Sequence, residues 1–133
     1  MKPSNLKYPK SHRGGRLNPG IKYDSIKYGD VALVANQPAI IKASHLSSIG
    51  LTIKRAIKKE GNLYFRTFPH TPVTKKPLEV RMGKGKGSVN HYISKLQKGS
   101  IILEIKTLNI TKALSALNVV KSKIPLSSTI IKR

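Results

Sequence analysis

Ser44-His45-Leu46-Ser47-Ser48-Ile49-Gly50-Leu51-Thr52-Ile53-Lys54-Arg55-Ala56-Ile57-Lys58-Lys59-Glu60-Gly61 reads as one amphipathic helix. At 3.6 residues per turn Leu46, Ile49, Ile53, Ala56 and Ile57 fall within an arc of about 100°. Lys54, Arg55, Lys58 and Lys59 lie across from that stripe. Ser44 suits the N-cap and Gly61 the C-terminal stop. One face therefore packs, and the other is free to meet phosphates. Gly50 costs a helix interior about 1 kcal/mol relative to alanine, so its presence predicts the close approach of another backbone.

Strand patterns surround this helix. Val31 to Ala35 reads as a short buried strand, continued after Pro38 by Ala39 to Ala43. After Gly61, Leu63 to Phe68 alternates as a strand, with Phe65 and Phe68 expected in the core. Pro69, Pro72 and Pro77 then predict an extended connection. Val89 to Leu96 alternates again, with Val89, His91, Ile93 and Lys95 on one face. Gln97-Lys98-Gly99 is a turn leading into a strand from Ser100 to Lys106. A second helix is expected from Thr111 to Lys123, with Ala113, Leu114, Leu117, Val120 and Ile124 as its stripe and Pro125 as its stop. Ser127 to Lys132 follows as a last strand. The order predicts an α+β fold, a mixed β-sheet sandwich with two packed α-helices, as a single core over residues 29–133.

Residues 1–28 read differently. Lys2, Lys7, Lys10, Arg13, Arg16, Lys22 and Lys27 stand against Asp24 alone, and Pro3, Pro9 and Pro19 deny the segment helical periodicity. Such a basic N-terminal extension is expected to be unstructured in the free protein and to order on a polyanion. The whole chain repeats the imbalance, with 26 Lys+Arg against 5 Asp+Glu and a formal charge of +21 on 133 residues. That charge repels itself strongly unless a polyanion neutralises it.

Other function classes lose ground on the same residues. Asp24, Asp30, Glu60, Glu79 and Glu104 are scattered, so no carboxylate pair is spaced for acid–base work. His12, His45, His70 and His91 lack ligand spacing, and cysteine is absent. The expectation is a chain with no catalytic residues, metal or cofactor. No apolar run approaches the roughly 20 residues that span a bilayer, and Met1 to Lys10 lacks the apolar block of a secretory signal. Aromatics are few, so stacking of splayed single-stranded bases is not indicated. What remains is binding to the shape and phosphates of folded RNA, or to DNA.

Arg81-Met82-Gly83-Lys84-Gly85-Lys86-Gly87 concentrates that chemistry. Its glycines permit close backbone approach, and its three cations suit phosphate. A Gly/Lys run is also what any solvated turn tolerates. It is not a Walker loop, because Ser88 follows Gly87 rather than a lysine, and the Gly-x-Gly-x-x-Gly spacing is missing.

Taken with Tyr8-Pro9-Lys10-Ser11-His12-Arg13-Gly14-Gly15-Arg16, Lys54-Arg55-Ala56, Phe65-Arg66-Thr67-Phe68-Pro69 and Pro72-Val73-Thr74-Lys75-Lys76-Pro77, this loop closely resembles the large-subunit ribosomal protein L16 (uL16) family. The resemblance is colinear over nearly the whole chain. It implies a structural, non-enzymatic protein that binds large-subunit rRNA near the peptidyl-transferase centre, helps shape the aminoacyl-tRNA site and joins late in assembly beside other large-subunit proteins. By the same resemblance, His12, Arg13 and Arg16 belong to an extension that threads into rRNA; Lys7 and Lys10 of that extension, the helix cations Lys54, Arg55, Lys58 and Lys59, and Arg66 are expected on the rRNA side with them. Arg81, Met82, Gly83, Lys84, Gly85, Lys86 and Gly87 would point toward the tRNA acceptor region. Gly50 and Leu51 stand where relatives usually carry two arginines, and Tyr64 where a tryptophan is common. That divergence, a lysine- and isoleucine-rich composition and no transit peptide before the basic motif lead to the expectation of an organelle-encoded member in the mitochondrial ribosome, with a plastid or bacterial origin as the alternative.

Overall fold

A computed structural model describes residues 1–133 apart from Asn5, Arg13, Gly15, Arg16, Asn18, Pro19 and Tyr23. The elements run β1 (Val31–Ala35), β2 (Ala39–Lys42), α1 (Ala43–Ile57), β3 (Gly61–Phe65), β4 (Thr71–Lys75), β5 (Ser88–Leu96), β6 (Ile101–Thr107), α2 (Ile110–Lys123) and β7 (Ser128–Lys132). The α+β class and the two packed helices are as the sequence predicts. The strands form two sheets, one ordered β3-β6-β1-β7 and the other β2-β5-β4. All pairs between these strands are antiparallel, and the parallel contact is an isolated bridge between Ile21 and Lys98.

β1 and β2 belong to different sheets, so Ala39 onward does not continue β1. The chain passes between the sheets four times, first at Asn36–Pro38 and last at Gln97–Ser100. The first and last crossings are stitched together: Gly99 N donates to Ala35 O at 2.7 Å, and Ala35 N donates to Ser100 O at 3.0 Å. Gly99 needs to be glycine there, with φ +82° and a virtual β-carbon 2.1 Å from the Lys22 carbonyl oxygen.

Strand alternation places Val31, Leu33, Leu103 and Ile105 together as register partners on one face of the four-stranded sheet. They join the buried stripes of both helices in one core, Leu46, Ile49, Ile53 and Ile57 from α1 and Ala113, Leu117 and Val120 from α2. Ala116 is also buried, whereas Ala56 is exposed. The α1 stripe is therefore narrower than the sequence arc, with Ala56 in an open recess beside Ala116 and Val119.

Four local expectations are corrected. α1 starts at Ala43 with Lys42 as a cap that makes no side-chain hydrogen bond, and it ends at Ile57. Gly50 accommodates a side chain rather than a backbone: an added β-carbon would lie 3.1 Å from Cζ of Phe65. Thr71–Lys75 is a strand despite Pro72, which is tolerable because β4 is the sheet edge and a missing N–H breaks few bonds there. Phe68, expected in the core, is 49% exposed because the strand it was assigned to stops at Phe65.

Candidate nucleic-acid interface

β4 and β5 are antiparallel and pair from Thr71 with Ile93 to Lys75 with Ser88. The Gly/Lys run is therefore the tip of a hairpin, not a free linker. Residues 81 to 86 are exposed, Met82 completely. Gly83, Lys84 and Gly85 have φ of +99°, +56° and +78°, a left-handed run that glycine adopts at little cost. Around Gly83 and Gly85 there is open space, so these two supply conformation. Gly87 supplies proximity: a β-carbon there would lie 2.6 Å from the Lys75 carbonyl oxygen.

Lysines brace the tip. Lys76 donates its ammonium to the Gly83 carbonyl. Lys86 donates to Ser11 O at 2.6 Å, and Lys10 donates to Lys86 O at 3.0 Å. Two segments that the sequence treats separately, the extension and the loop, thus meet on one basic surface. Lys7 stands 5.6 Å over the ring of Tyr8, and His12 is exposed. Arg13 and Arg16 lie outside the described residues.

A second cluster forms at the end of α1. Lys54, Arg55, Lys58 and Lys59 are all exposed, and cations there are favoured by the helix C-terminus. Lys58 caps the helix at φ +55°, with its N–H donating to Lys54 O at 2.8 Å. That conformation is strained for a residue with a β-carbon.

Arg66 departs from its expected place among the RNA-facing cations. Its side chain is 14% exposed and turned inward, one guanidinium nitrogen on the Glu104 carboxylate and the other 3.4 Å from Asp24. Glu104 is fully buried, on the face of β6 opposite Leu103 and Ile105, paired with Ala32 and Tyr64. Burial pushes its carboxyl up, but the amides of Tyr28, Gly29 and Lys27 with Arg66 outweigh that and hold it below the usual carboxylate range. Asp24 is likewise lowered: burial opposes ionisation, and Lys22 with a backbone amide and Arg66 overcomes it. The sequence does carry a signal for this site. Ile101-Ile102-Leu103-Glu104-Ile105 is an apolar run covered on both faces, so an acid inside it needs a partner.

These contacts also change the view of the extension. Lys22 N donates to Lys98 O at 2.7 Å and Asp30 N to Ile105 O at 2.9 Å, while Lys27 to Gly29 donate to Glu104. The last part of residues 1–28 is thus fastened to the core.

Among the described residues no group of histidines and acids is placed to hold a metal ion, and no helix is long and apolar enough to cross a membrane. A recess of about 540 Å³ is lined by Arg66, Thr67, Phe68, His70 and Lys95 among others, with no carboxylate in its wall.

Exposed cations on a hairpin tip, a helix end and an extension, carried by one α+β core, define a protein with a strongly basic surface. Residues 3–131 match the family described as ribosomal protein L16p/L10e. The chain is 40% identical to the large ribosomal subunit protein uL16 of Blochmanniella pennsylvanica, covering 100% of this chain and 98% of that one. It is 39% identical to uL16 of Coxiella burnetii and 37% identical to that of Thermus thermophilus, covering all of this chain and 97% and 94% of theirs. The chain belongs to the ribosomal protein L16p/L10e family.

Proposed function

We infer that this chain is a structural, non-enzymatic constituent of the large ribosomal subunit. Family membership over the full length supports that reading, and the observation that carries its mechanism is the braced, exposed tip from Arg81 to Lys86. In this reading Lys7, Lys10, His12, Arg13 and Arg16 neutralise rRNA phosphates from the extension, and Lys54, Arg55, Lys58 and Lys59 do so from α1. The loop of Arg81, Met82, Gly83, Lys84, Gly85, Lys86 and Gly87 reaches the tRNA acceptor region and helps shape the aminoacyl-tRNA site near the peptidyl-transferase centre. The planar guanidinium of Arg81 suits a bidentate grip on phosphate. Neighbouring large-subunit proteins complete the surroundings.

The compartment we propose is the mitochondrial ribosome. The lysine- and isoleucine-rich composition supports it, and the relatives named above, being bacterial, make a bacterial ribosome the alternative. Sedimentation of a native lysate at moderate salt tests the function: the chain should travel quantitatively with the large subunit. A pool at the top of the gradient, free or bound to DNA or mRNA, would overturn it. Fractionating organelles from cytosol before the gradient decides the compartment.

A further inference from the structure

Glu104 is a buried charge that core packing alone does not call for. An apolar residue of similar volume would fill the middle of β6 without the electrostatic cost of burying a carboxylate. What the carboxylate does, and an apolar group cannot, is collect three successive amides. Tyr28 N donates to it at 2.6 Å, Gly29 N at 2.9 Å and Lys27 N at 3.2 Å.

Arg66, the fourth donor, extends the grip outward. It reaches Asp24, which also pairs with Lys22 at 3.0 Å, and it approaches the Ser25 carbonyl at 3.4 Å. Its guanidinium lies 5.6 Å over the ring of Tyr28, which in turn sits 5.6 Å from the ring of Tyr64. These partners converge on residues 24–29, the root of the basic extension.

We propose that Glu104 and Arg66 are positioning residues for RNA engagement, fixing the direction in which residues 1–20 leave the core so that the extension's cations meet RNA as an oriented strand. The inference rests on the ribosomal reading above. A segment whose root is already fixed gives up less conformational freedom on binding, so orientation adds affinity without adding a contact. The guanidinium of Arg66 is occupied by carboxylates and takes no phosphate.

The test uses the full chain and transcribed large-subunit rRNA as the probe. A Glu104→Leu, Arg66→Met double variant removes both charges together and leaves neither buried alone. Its core should melt cooperatively, while the amides of residues 27–29 lose their exchange protection. Its rRNA Kd should weaken about tenfold with an unchanged salt slope, because the number of neutralised phosphates stays the same. A chain lacking residues 1–20 should instead lower the slope. If the double variant does not fold, Asp24→Asn, nearer the surface, is read the same way with a smaller loss of affinity. Wild-type affinity despite unprotected amides would overturn the positioning role, and so would a slope that falls together with affinity, since Arg66 would then be a phosphate contact. Failure of the unaltered chain to bind rRNA would overturn the ribosomal reading itself and the positioning role with it.

Discussion

The ammonium of Lys86, at the hairpin tip, donates to the carbonyl of Ser11 in the extension, 75 residues earlier in the chain, at 2.6 Å. The return contact from Lys10 to the Lys86 carbonyl makes the pairing mutual. An exposed hydrogen bond of this kind contributes about 0.5 to 1.5 kcal/mol net.

Lys86→Ala should therefore leave thermal stability unchanged but speed tryptic cleavage after Lys10 by roughly two- to tenfold. The comparison is made on the RNA-free chain at limiting protease. Equal cleavage rates would mean that the two segments do not hold each other in solution.

The helix α1 separates folding from binding. Ile53 is fully buried, so Ile53→Ala should cost about 2 to 4 kcal/mol through the cavity it leaves. Lys58→Gly should act in the opposite sense, raising stability by about 1 to 2 kcal/mol by relieving the positive φ. The same change should lower the salt slope of rRNA binding by about one phosphate contact. Chemical denaturation together with a salt titration reads both, and a destabilised Lys58→Gly would show that the cap is not strained.

The glycines of the tip should separate by role. Gly87→Ala forces a β-carbon against the Lys75 carbonyl and should cost about 1 to 3 kcal/mol. Gly85→Ala meets nothing within 4 Å, and only its φ is strained, so the cost should stay near 1 kcal/mol. Thermal melts of the two variants decide the order, and a reversal would place the close approach at the wrong glycine.

Arg81→Ala should leave the melting temperature of the free chain nearly unchanged, since Arg81 is exposed beyond the strand ends. Subunits carrying it should bind aminoacyl-tRNA more weakly or mature late. Normal maturation and tRNA binding would confine the tip to architecture.

Acid should release the extension's root before the helices. The folded carboxyl of Glu104 titrates below its ordinary value of 4.5, and Asp24 below 3.8. Depressed values contribute stability that is present above the unfolded values and is lost as pH falls through the folded ones. Melting temperature should thus decline below about pH 4.5, and the decline should be shallower in the Glu104→Leu, Arg66→Met variant. Parallel pH profiles would deny the pair that contribution.

Periodicity made most of the architecture readable. Both helices, β1 and the strands on either side of Gly99 follow from alternation and from the Ile53 and Leu117 stripes, and the tip glycines were visible as a motif. Two things escaped. β4 is hidden because Pro72 and Pro77 read as strand breakers, while pairing at a sheet edge needs only part of the amide ladder. The inward turn of Arg66 is hidden because a guanidinium beside a basic run looks like every other surface cation. Its partner is 38 residues away in sequence and across a sheet, a distance no local pattern spans.

The order of synthesis gives the register of β1 a further consequence. Val31 pairs with Ile105 on one side and with Lys132 on the other, so this early strand cannot be closed in until the last strand has left the ribosome that is making it. Glu104, which fastens residues 27–29, also emerges late. The nascent chain therefore passes through a period in which its basic head is out and unmoored, and during that time its lysines answer to whatever polyanion or chaperone is nearest. Contacts of such sequence separation form slowly, so the length of that exposure is set by the C-terminal half of the chain rather than by the extension itself.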